Sequence, residues 1–123
     1  MRLFILLLLS TLLFTACGFQ KLQEQANQKF GDQHFKTAVA LIELHKLREG
    51  SYPEALSDLK YMGDWDAMIY SSVKYTKLEE GYELDLVNGW VGAPEELEYP
   101  EDFWKGLGIR KSNLMKTAVT DQK

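Results

Sequence analysis

The sequence contains a single cysteine, Cys17, among its 123 residues. One thiol cannot form a disulfide within the chain, so the fold depends on its apolar core for stability. A chain of this length suffices for one small domain and buries roughly 60–70% of its unfolded surface. We therefore expect one modest core without covalent cross-links.

Positive charge is also scarce, with 14 Lys and Arg against 18 Asp and Glu, a formal net charge of −4. Phosphate backbones are bound by basic surfaces, so nucleic acid is not an expected partner. Adhesion to anionic lipid through charge alone is disfavoured for the same reason. Attachment to a membrane would have to be hydrophobic.

Catalytic and metal-binding motifs are missing as well, since neither Gly-x-Ser-x-Gly nor HExxH occurs. His34 and His45 would share one helix face but lie about 16 Å apart along its axis, too far to bind one zinc ion. We expect His45 to be half-buried and His34 to lie at the surface. The sequence predicts no enzyme and no cofactor other than a covalent lipid, for which the reason follows.

The N-terminal segment has the order of a secretory signal: Arg2, an apolar run, and small residues before Cys17. It is too short and wrongly flanked for a stable membrane span. Residues 13–17 read LFTAC and resemble the lipobox of bacterial lipoproteins, although Phe14 stands where that family usually has Leu. The resemblance implies that residues 1–16 are a signal peptide and that Cys17 is lipidated after cleavage.

The expected location is therefore the cell envelope, with the lipid on Cys17 as the membrane anchor. The residue after the cysteine is Gly18. An Asp at that position would resemble an inner-membrane retention signal. Outer-membrane attachment facing the periplasm is the resulting prediction. Loss of Arg2 with the signal peptide makes the net charge of the mature chain −5.

Helical periodicity dominates residues 30–49, whose apolar side chains cover most of the girth. Gly50 follows directly and suits the left-handed position after a helix. Residues 17–28 are polar and rich in Gln, and form either a tether or the start of this helix. Pro53 suits the first position of a second short helix over residues 54–59.

The period changes to two after residue 67. Residues 68–78 are rich in β-formers and predict a strand, and residues 82–87 alternate as a second strand. Gly81, in the loop between them, is available for a positive φ. The side chains expected to point inward from the second strand are Tyr82, Leu84 and Leu86.

Asn88-Gly89 is the strongest two-residue turn signal in the chain, and it predicts a short third strand at residues 90–91. Residues 95–102 then form an acidic loop. Phe103, Trp104, Leu107 and Ile109 are too apolar for a free tail. Residues 111–123 have no periodicity, so they are expected to be a flexible C-terminal tail.

Residues 44–53, LHKLREGSYP, resemble the helix end and first loop of type II secretion pseudopilins. Gly-x-Tyr-Pro at 50–53 is the best part of a likeness that covers roughly residues 35–87. The resemblance implies an α+β fold, in which one long N-terminal helix packs on a small antiparallel β-sheet. This pilin-like domain is expected over residues 29–110.

The N-terminus departs from the pseudopilin pattern, because its apolar run lacks the early Glu and ends in the lipobox-like segment. We therefore expect the soluble fold without polymerisation through an N-terminal transmembrane helix. A minor pseudopilin with an unusual leader stays open as an alternative. Major pseudopilins also hold calcium in a late loop, whose ligands cannot be matched residue by residue in this chain.

Aromatic residues concentrate after residue 60, and most are expected to pack in the core. Tryptophan and tyrosine are also typical of binding hot spots. The sequence offers a candidate patch for a protein partner at Trp90, Phe103 and Trp104. Trp104 is its strongest member, because Gly106 and Gly108 lie close by in sequence.

The acidic loop offers a second candidate site, because Glu95, Glu96 and Glu98 carry oxygens of the kind that calcium binds. It lacks the spaced Asp-x-Asp-x-Asp-Gly pattern. The favoured interpretation is a lipid-anchored envelope lipoprotein with a non-catalytic binding or scaffolding role, for which a secretion or pilus-type assembly is one context. The alternative is a periplasmic small-ligand or calcium-binding module that uses residues 95–102.

Overall fold

The computed structural model describes residues 1–116, with the side chains of residues 12–17 excepted. Helix α1 spans Arg2–Glu49, and its 48 residues extend over about 72 Å. The helix therefore includes residues 17–28. It ends at Gly50, whose φ of 83° is left-handed and whose N–H donates to the Lys46 carbonyl at 2.9 Å, so the predicted glycine at the helix end is confirmed.

The elements after α1 are short, between three and five residues each. Two of them are 3₁₀ turns, at Leu56–Asp58 and Asp66–Met68. A helix was predicted over residues 54–59, and only the first of these turns forms there. The helices and strands that follow are, in order along the chain, α2 (Ile69–Ser72), β1 (Val73–Lys77), β2 (Tyr82–Leu86), α3 (Glu101–Trp104) and β3 (Ile109–Lys111).

The three strands form one mixed sheet in the order β1-β2-β3. β1 and β2 are antiparallel, with Val73 opposite Leu86 and Lys77 opposite Tyr82. β3 runs parallel to β2, because a long connection brings the chain back to the edge where β2 begins. The predicted α+β class is confirmed, while the prediction of a wholly antiparallel sheet is wrong.

The prediction of a strand from residue 68 is wrong for its first five residues, which are helical. The hydroxyls of Ser71 and Ser72 both donate to the Met68 carbonyl at 3.0 Å, a local bond that competes with an extended backbone. Ile69 is fully buried from this helical turn. The second strand follows the prediction: Tyr82, Leu84 and Leu86 all point into the core.

The predicted strand at residues 90–91 is also wrong, because the backbone there binds to α1 and not to the sheet. The N–H groups of Trp90 and Val91 donate to Asn27 Oδ1 at 3.0 and 2.8 Å. Gly89 does not adopt a positive φ. Glycine is needed at this position because the loop backbone lies very close to α1. A Cβ there would be 2.3 Å from the Asn27 carbonyl oxygen.

The core lies between the C-terminal half of α1 and the sheet. The helix contributes Phe35, Ala38, Val39 and Ile42, which are all buried and lie on one side of the helix at the spacing of its periodic pattern. Burial of such side chains is the main stabilising contribution to a small domain. The other buried apolar residues are Leu59, Ile69, Val73, Tyr82, Leu84, Leu86, Tyr99, Ile109 and Leu114.

The flexible tail predicted from residue 111 begins too early. Lys111 belongs to β3, and Leu114 is buried in the core. Asn113 pairs with the backbone of Leu86, accepting from its N–H at 2.9 Å and donating to its carbonyl at 2.8 Å. The lack of periodicity in this segment gave no sign of the attachment. The remainder of the predicted tail, residues 117–123, lies outside the described residues.

A half-buried carboxylate, Glu43, joins α1 to the rest of the domain. It accepts hydrogen bonds from the hydroxyls of Tyr52 at 3.1 Å and Tyr82 at 2.9 Å, and from the Gly108 N–H at 2.7 Å. A Cβ at position 108 would lie 2.0 Å from the Tyr52 hydroxyl, so the site requires glycine. We call these four residues the Glu43 cluster.

Candidate functional site

A cleft of about 600 Å³ opens between the middle of α1 and the segments 65–72 and 88–90. Three aromatic rings and several neutral polar groups line it, as is usual for clefts that bind small molecules. We call it the aromatic cleft. Its lining residues are Phe30, Gln33, His34, Thr37, Trp65, Asp66, Met68, Ser71, Ser72, Asn88, Gly89 and Trp90.

His34 lies in the buried part of the aromatic cleft, with 8% of its surface exposed. Its ring stacks on Phe30, with centroids 6.3 Å apart and planes inclined by 20°. Burial lowers the pKa of His34 below its usual value of 6.5, so the imidazole is neutral at pH 7. The prediction that His34 is a surface residue is wrong, because the segments around residues 65–72 and 88–90 cover this face of α1 as well.

His45 follows its prediction more closely. It is half-buried near the C-terminal end of α1, and its Nδ1 lies 2.9 Å from the Ser51 carbonyl oxygen. The geometry suits the tautomer in which Nδ1 carries the proton and donates it to that carbonyl. This bond fastens the chain where it leaves the helix.

The rim of the aromatic cleft exposes two large indole rings. Trp65 has 80% of its surface exposed and Trp90 has 54%. The Trp90 ring lies beside Phe30, with centroids 6.5 Å apart and planes inclined by 43°. More than half of each indole surface is therefore open, which is unusual for the residue type that buries most area per side chain.

The loop that carries Trp90 is fixed to α1 by side chains of the helix. Asn27 is buried and holds the two N–H groups of residues 90 and 91 described above. One turn earlier, Glu24 Oε1 accepts from the Glu95 N–H at 3.1 Å. This positions Trp90 on a fixed part of the fold, and not on a loop free to move from α1.

The polar groups of the cleft do not form a nucleophile and base pair. The Ser72 hydroxyl is buried and donates to the Met68 carbonyl, as does that of Ser71. Among the described side chains, no hydrogen bond joins either serine to His34. A serine nucleophile needs a base within hydrogen-bonding reach, and both of these hydroxyls are bonded to the backbone instead.

The residues of the predicted aromatic patch lie in two different surroundings. Phe103 and Trp104 are half-buried and in contact, with centroids 4.9 Å apart, and Trp104 packs edge-on against Phe35 at 6.1 Å. Trp90 contacts Phe30 instead. In the part of the chain that the structure describes, no ring contact joins Trp90 to the other two members.

The three glutamates of the acidic loop are all exposed. The Glu98 carboxylate pairs with Lys116 at 3.2 Å, and Glu95 is bonded through its backbone to Glu24. Across residues 1–116, no group of three or more His, Cys, Asp or Glu side chains converges as a metal site would require. The calcium site at Glu95, Glu96 and Glu98 stays a prediction.

The predicted lipid-bearing residue, Cys17, lies on α1, but its side chain is outside the described residues. Within the described part of the chain, no helix has a stretch long and apolar enough to cross a membrane.

Trp65, Asp66 and His34 line the same cleft, and the sequence did not predict that they lie together. The available signal was a tryptophan between two aspartates in a loop with Gly63. A tryptophan in so polar a loop is expected to be exposed, and exposed loop residues often serve binding. No family model matches the sequence, and no significant match is found among curated proteins or solved structures.

Proposed function

We propose that this protein is a lipid-anchored cell-envelope lipoprotein with a non-catalytic binding role, and that the aromatic cleft is its binding site. The observation that carries the proposal is the exposure of Trp65 and Trp90 at the rim of a cleft of ligand size. Large apolar side chains left in water beside a cleft are a frequent mark of an interaction site.

The hydrogen bonding of the polar groups in the cleft favours a binding role. The hydroxyls of Ser71 and Ser72 both donate to a backbone carbonyl, and His34 is a neutral, buried imidazole stacked on Phe30. No second titratable group shares hydrogen bonds with it among the described residues.

The lipid anchor is supported by the sequence around Cys17 alone. A short apolar segment that ends in LFTAC suits a lipoprotein leader. The pilin-like form of the fold is supported by a single helix that extends beyond the domain and packs its C-terminal half on a small sheet. A secretion or pilus-type assembly is accordingly the first context in which to look for a partner.

The anchor is tested by expressing the full chain in a bacterium with a lipoprotein pathway, in medium containing an alkyne-labelled palmitate. We expect the label on the wild-type protein and none on Cys17→Ser. Ser10→Ala, within the same leader, serves as the control and should label normally. An unlabelled wild-type chain that still reaches the envelope would contradict lipidation.

The binding role is tested by in-cell photo-crosslinking with a photoreactive amino acid at position 65. The control is the same amino acid at position 60, because Lys60 is exposed but borders a different cleft, near the end of α1. We expect discrete envelope partners from position 65 and a much weaker or different pattern from position 60. Identical patterns from both positions would contradict the assignment of the aromatic cleft.

A further inference from the structure

The lining of the aromatic cleft carries one formal charge, the carboxylate of Asp66. Its Oδ2 accepts a hydrogen bond from the Met62 N–H at 2.9 Å, which fixes the orientation of the group. Among the residues that the structure describes, no lysine or arginine lines the cleft. The other polar side chains are neutral, so the net electrostatic potential inside favours a positively charged ligand.

His34 does not offset this charge at neutral pH. Its burial disfavours the imidazolium form, so the cleft has an aromatic and amide lining with one negative group. An anionic ligand would be repelled by Asp66. A neutral apolar ligand would remove water from the same carboxylate without providing a partner for it, which is unfavourable.

The aromatic rings provide a second attraction for a cation. A positive group is attracted to a ring face when it lies within about 6 Å of the centroid. The Phe30 and Trp90 centroids are 6.5 Å apart, so one cation can lie within that distance of both. Trp65 borders the same cleft with most of its indole surface open.

We infer that the aromatic cleft binds an organic cation, an ammonium or guanidinium group with an apolar body. The group is carried either by a small molecule or by a lysine or arginine side chain of an envelope protein. The inference rests on the proposed function only in taking this cleft as the binding site. It adds the chemical class of the ligand, which is set by Asp66 and by the rings of Phe30 and Trp90.

The test uses the full-length protein in a non-ionic detergent and follows tryptophan fluorescence during titration. Choline is compared with 3,3-dimethyl-1-butanol, its neutral isostere, and blocked arginine amide is compared with blocked citrulline amide. Each pair differs mainly in charge. We expect the cation of at least one pair to bind about tenfold more tightly than its neutral partner, the size of one desolvated cation–π contact.

The two pairs distinguish the sources of the cation. A preference shown by blocked arginine alone assigns the cleft to a protein side chain, and one shown by choline alone assigns it to a small ammonium compound. Either result supports the inference. Equal binding within both pairs, or no saturable change with any of the four probes, overturns it.

Substitutions then connect the charge preference to the cleft. Asp66→Asn keeps an oxygen that can accept from the Met62 N–H, and it should reduce the preference for the cation without abolishing it, because the rings of Phe30 and Trp90 remain. Asp64→Asn is the matched control, because Asp64 is exposed and is not among the lining residues. If Asp66→Asn unfolds, Trp65→Ala is the second variant, since an exposed side chain can be removed without loss of the core.

Failure of this inference is distinguishable from failure of the proposed function. Neutral probes that bind as well as cations, together with specific crosslinks from position 65, would leave the binding role and remove the cation. Cation binding without any crosslinked partner would support a small-molecule ligand. Neither cation binding nor specific crosslinks would overturn both.

Discussion

Two of the aromatic surroundings of helix α1 differ in how their polar atoms are bonded. In the Glu43 cluster, Tyr82 is fully buried, and its hydroxyl and that of Tyr52 are bonded to one carboxylate. In the aromatic cleft, Trp65 and Trp90 are exposed, and His34 is buried with its ring stacked and not hydrogen-bonded to a described partner. The first surrounding has the satisfied bonding of a structural joint, and the second has the incomplete packing of a binding site.

The largest expected effect is at the Glu43 cluster, where Glu43→Ala would remove the acceptor for three donors at once. Leaving the Tyr52, Tyr82 and Gly108 groups without partners should lower the free energy of unfolding by about 3–5 kcal/mol. Urea unfolding followed by far-UV circular dichroism measures this. Glu49→Ala, an exposed residue on the same helix, is the control and should change stability by less than about 0.5 kcal/mol. Equal losses from the two variants would mean that the cluster is not a structural joint.

A smaller loss of stability is expected from Gly89→Ala on the cleft side. The new Cβ would lie 2.3 Å from the Asn27 carbonyl oxygen, so the loop must move away from α1 at a cost of about 1–3 kcal/mol. Gly92→Ala is the matched control, because no atom lies within 4 Å of a Cβ there. Thermal unfolding compares the two. A Gly89→Ala protein as stable as Gly92→Ala would show that residues 88–91 do not rest on the helix.

The buried His34 should make stability depend on pH on the acid side. Its pKa is lowered in the folded protein, so the unfolded chain binds the proton first as the pH falls below about 6.5. The His34 contribution is therefore complete above that pH and is lost as the pH falls toward the lowered folded value. Urea midpoints measured between about pH 5 and 8 should show a steeper acid loss for wild type than for His34→Gln.

His45→Gln provides the comparison, because the imidazole of His45 is half-buried and bonded to a carbonyl. It removes an imidazole that lies outside the aromatic cleft, so it shows what loss of a histidine elsewhere on α1 does to stability. If His34→Gln and wild type have the same pH profile, His34 is accessible to water in the folded state and the cleft is more open than its lining indicates.

The smallest effect on stability is expected from Trp65→Ala. A side chain with 80% of its surface exposed contributes little to the core, so the free energy of unfolding should change by less than about 0.5 kcal/mol. Its effect on binding is measured with the photoreactive amino acid at position 68, which also lines the cleft. From that position, Trp65→Ala should weaken the specific crosslinks. A large loss of stability would instead place Trp65 among the structural aromatic residues, with Tyr52 and Tyr82.

The parts of the fold that were predicted correctly depend on neighbours in sequence. The apolar sector of α1, the glycine at position 50 and the alternation in β2 are set by the local period or by one backbone conformation. Gly81, for which a positive φ was expected, adopts a φ of 80°. Such features can be predicted because the information lies within a few residues of the feature itself.

The parts that were missed depend on distant residues. Trp90 and Val91 have the composition of a strand start, but their N–H groups bond to Asn27, more than sixty residues earlier in the chain. Glu43 stands on a helix face beside apolar residues, and only the folded chain brings the hydroxyls of Tyr52 and Tyr82 to it. The aromatic cleft was missed for the same reason, since its rings come from three separate segments.

The continuity of α1 has a consequence for how the domain would be presented at a membrane. Glu24 is the first described residue of α1 bonded to the loop that carries Trp90, and Cys17 precedes it by seven residues on the same helix, about 10 Å. A lipid at position 17 would then be joined to the domain by a rigid spacer. The number of residues in the spacer would then set the distance of the cleft from the lipid and its direction around the helix axis. Each residue inserted there would add about 1.5 Å and turn the domain by about 100°.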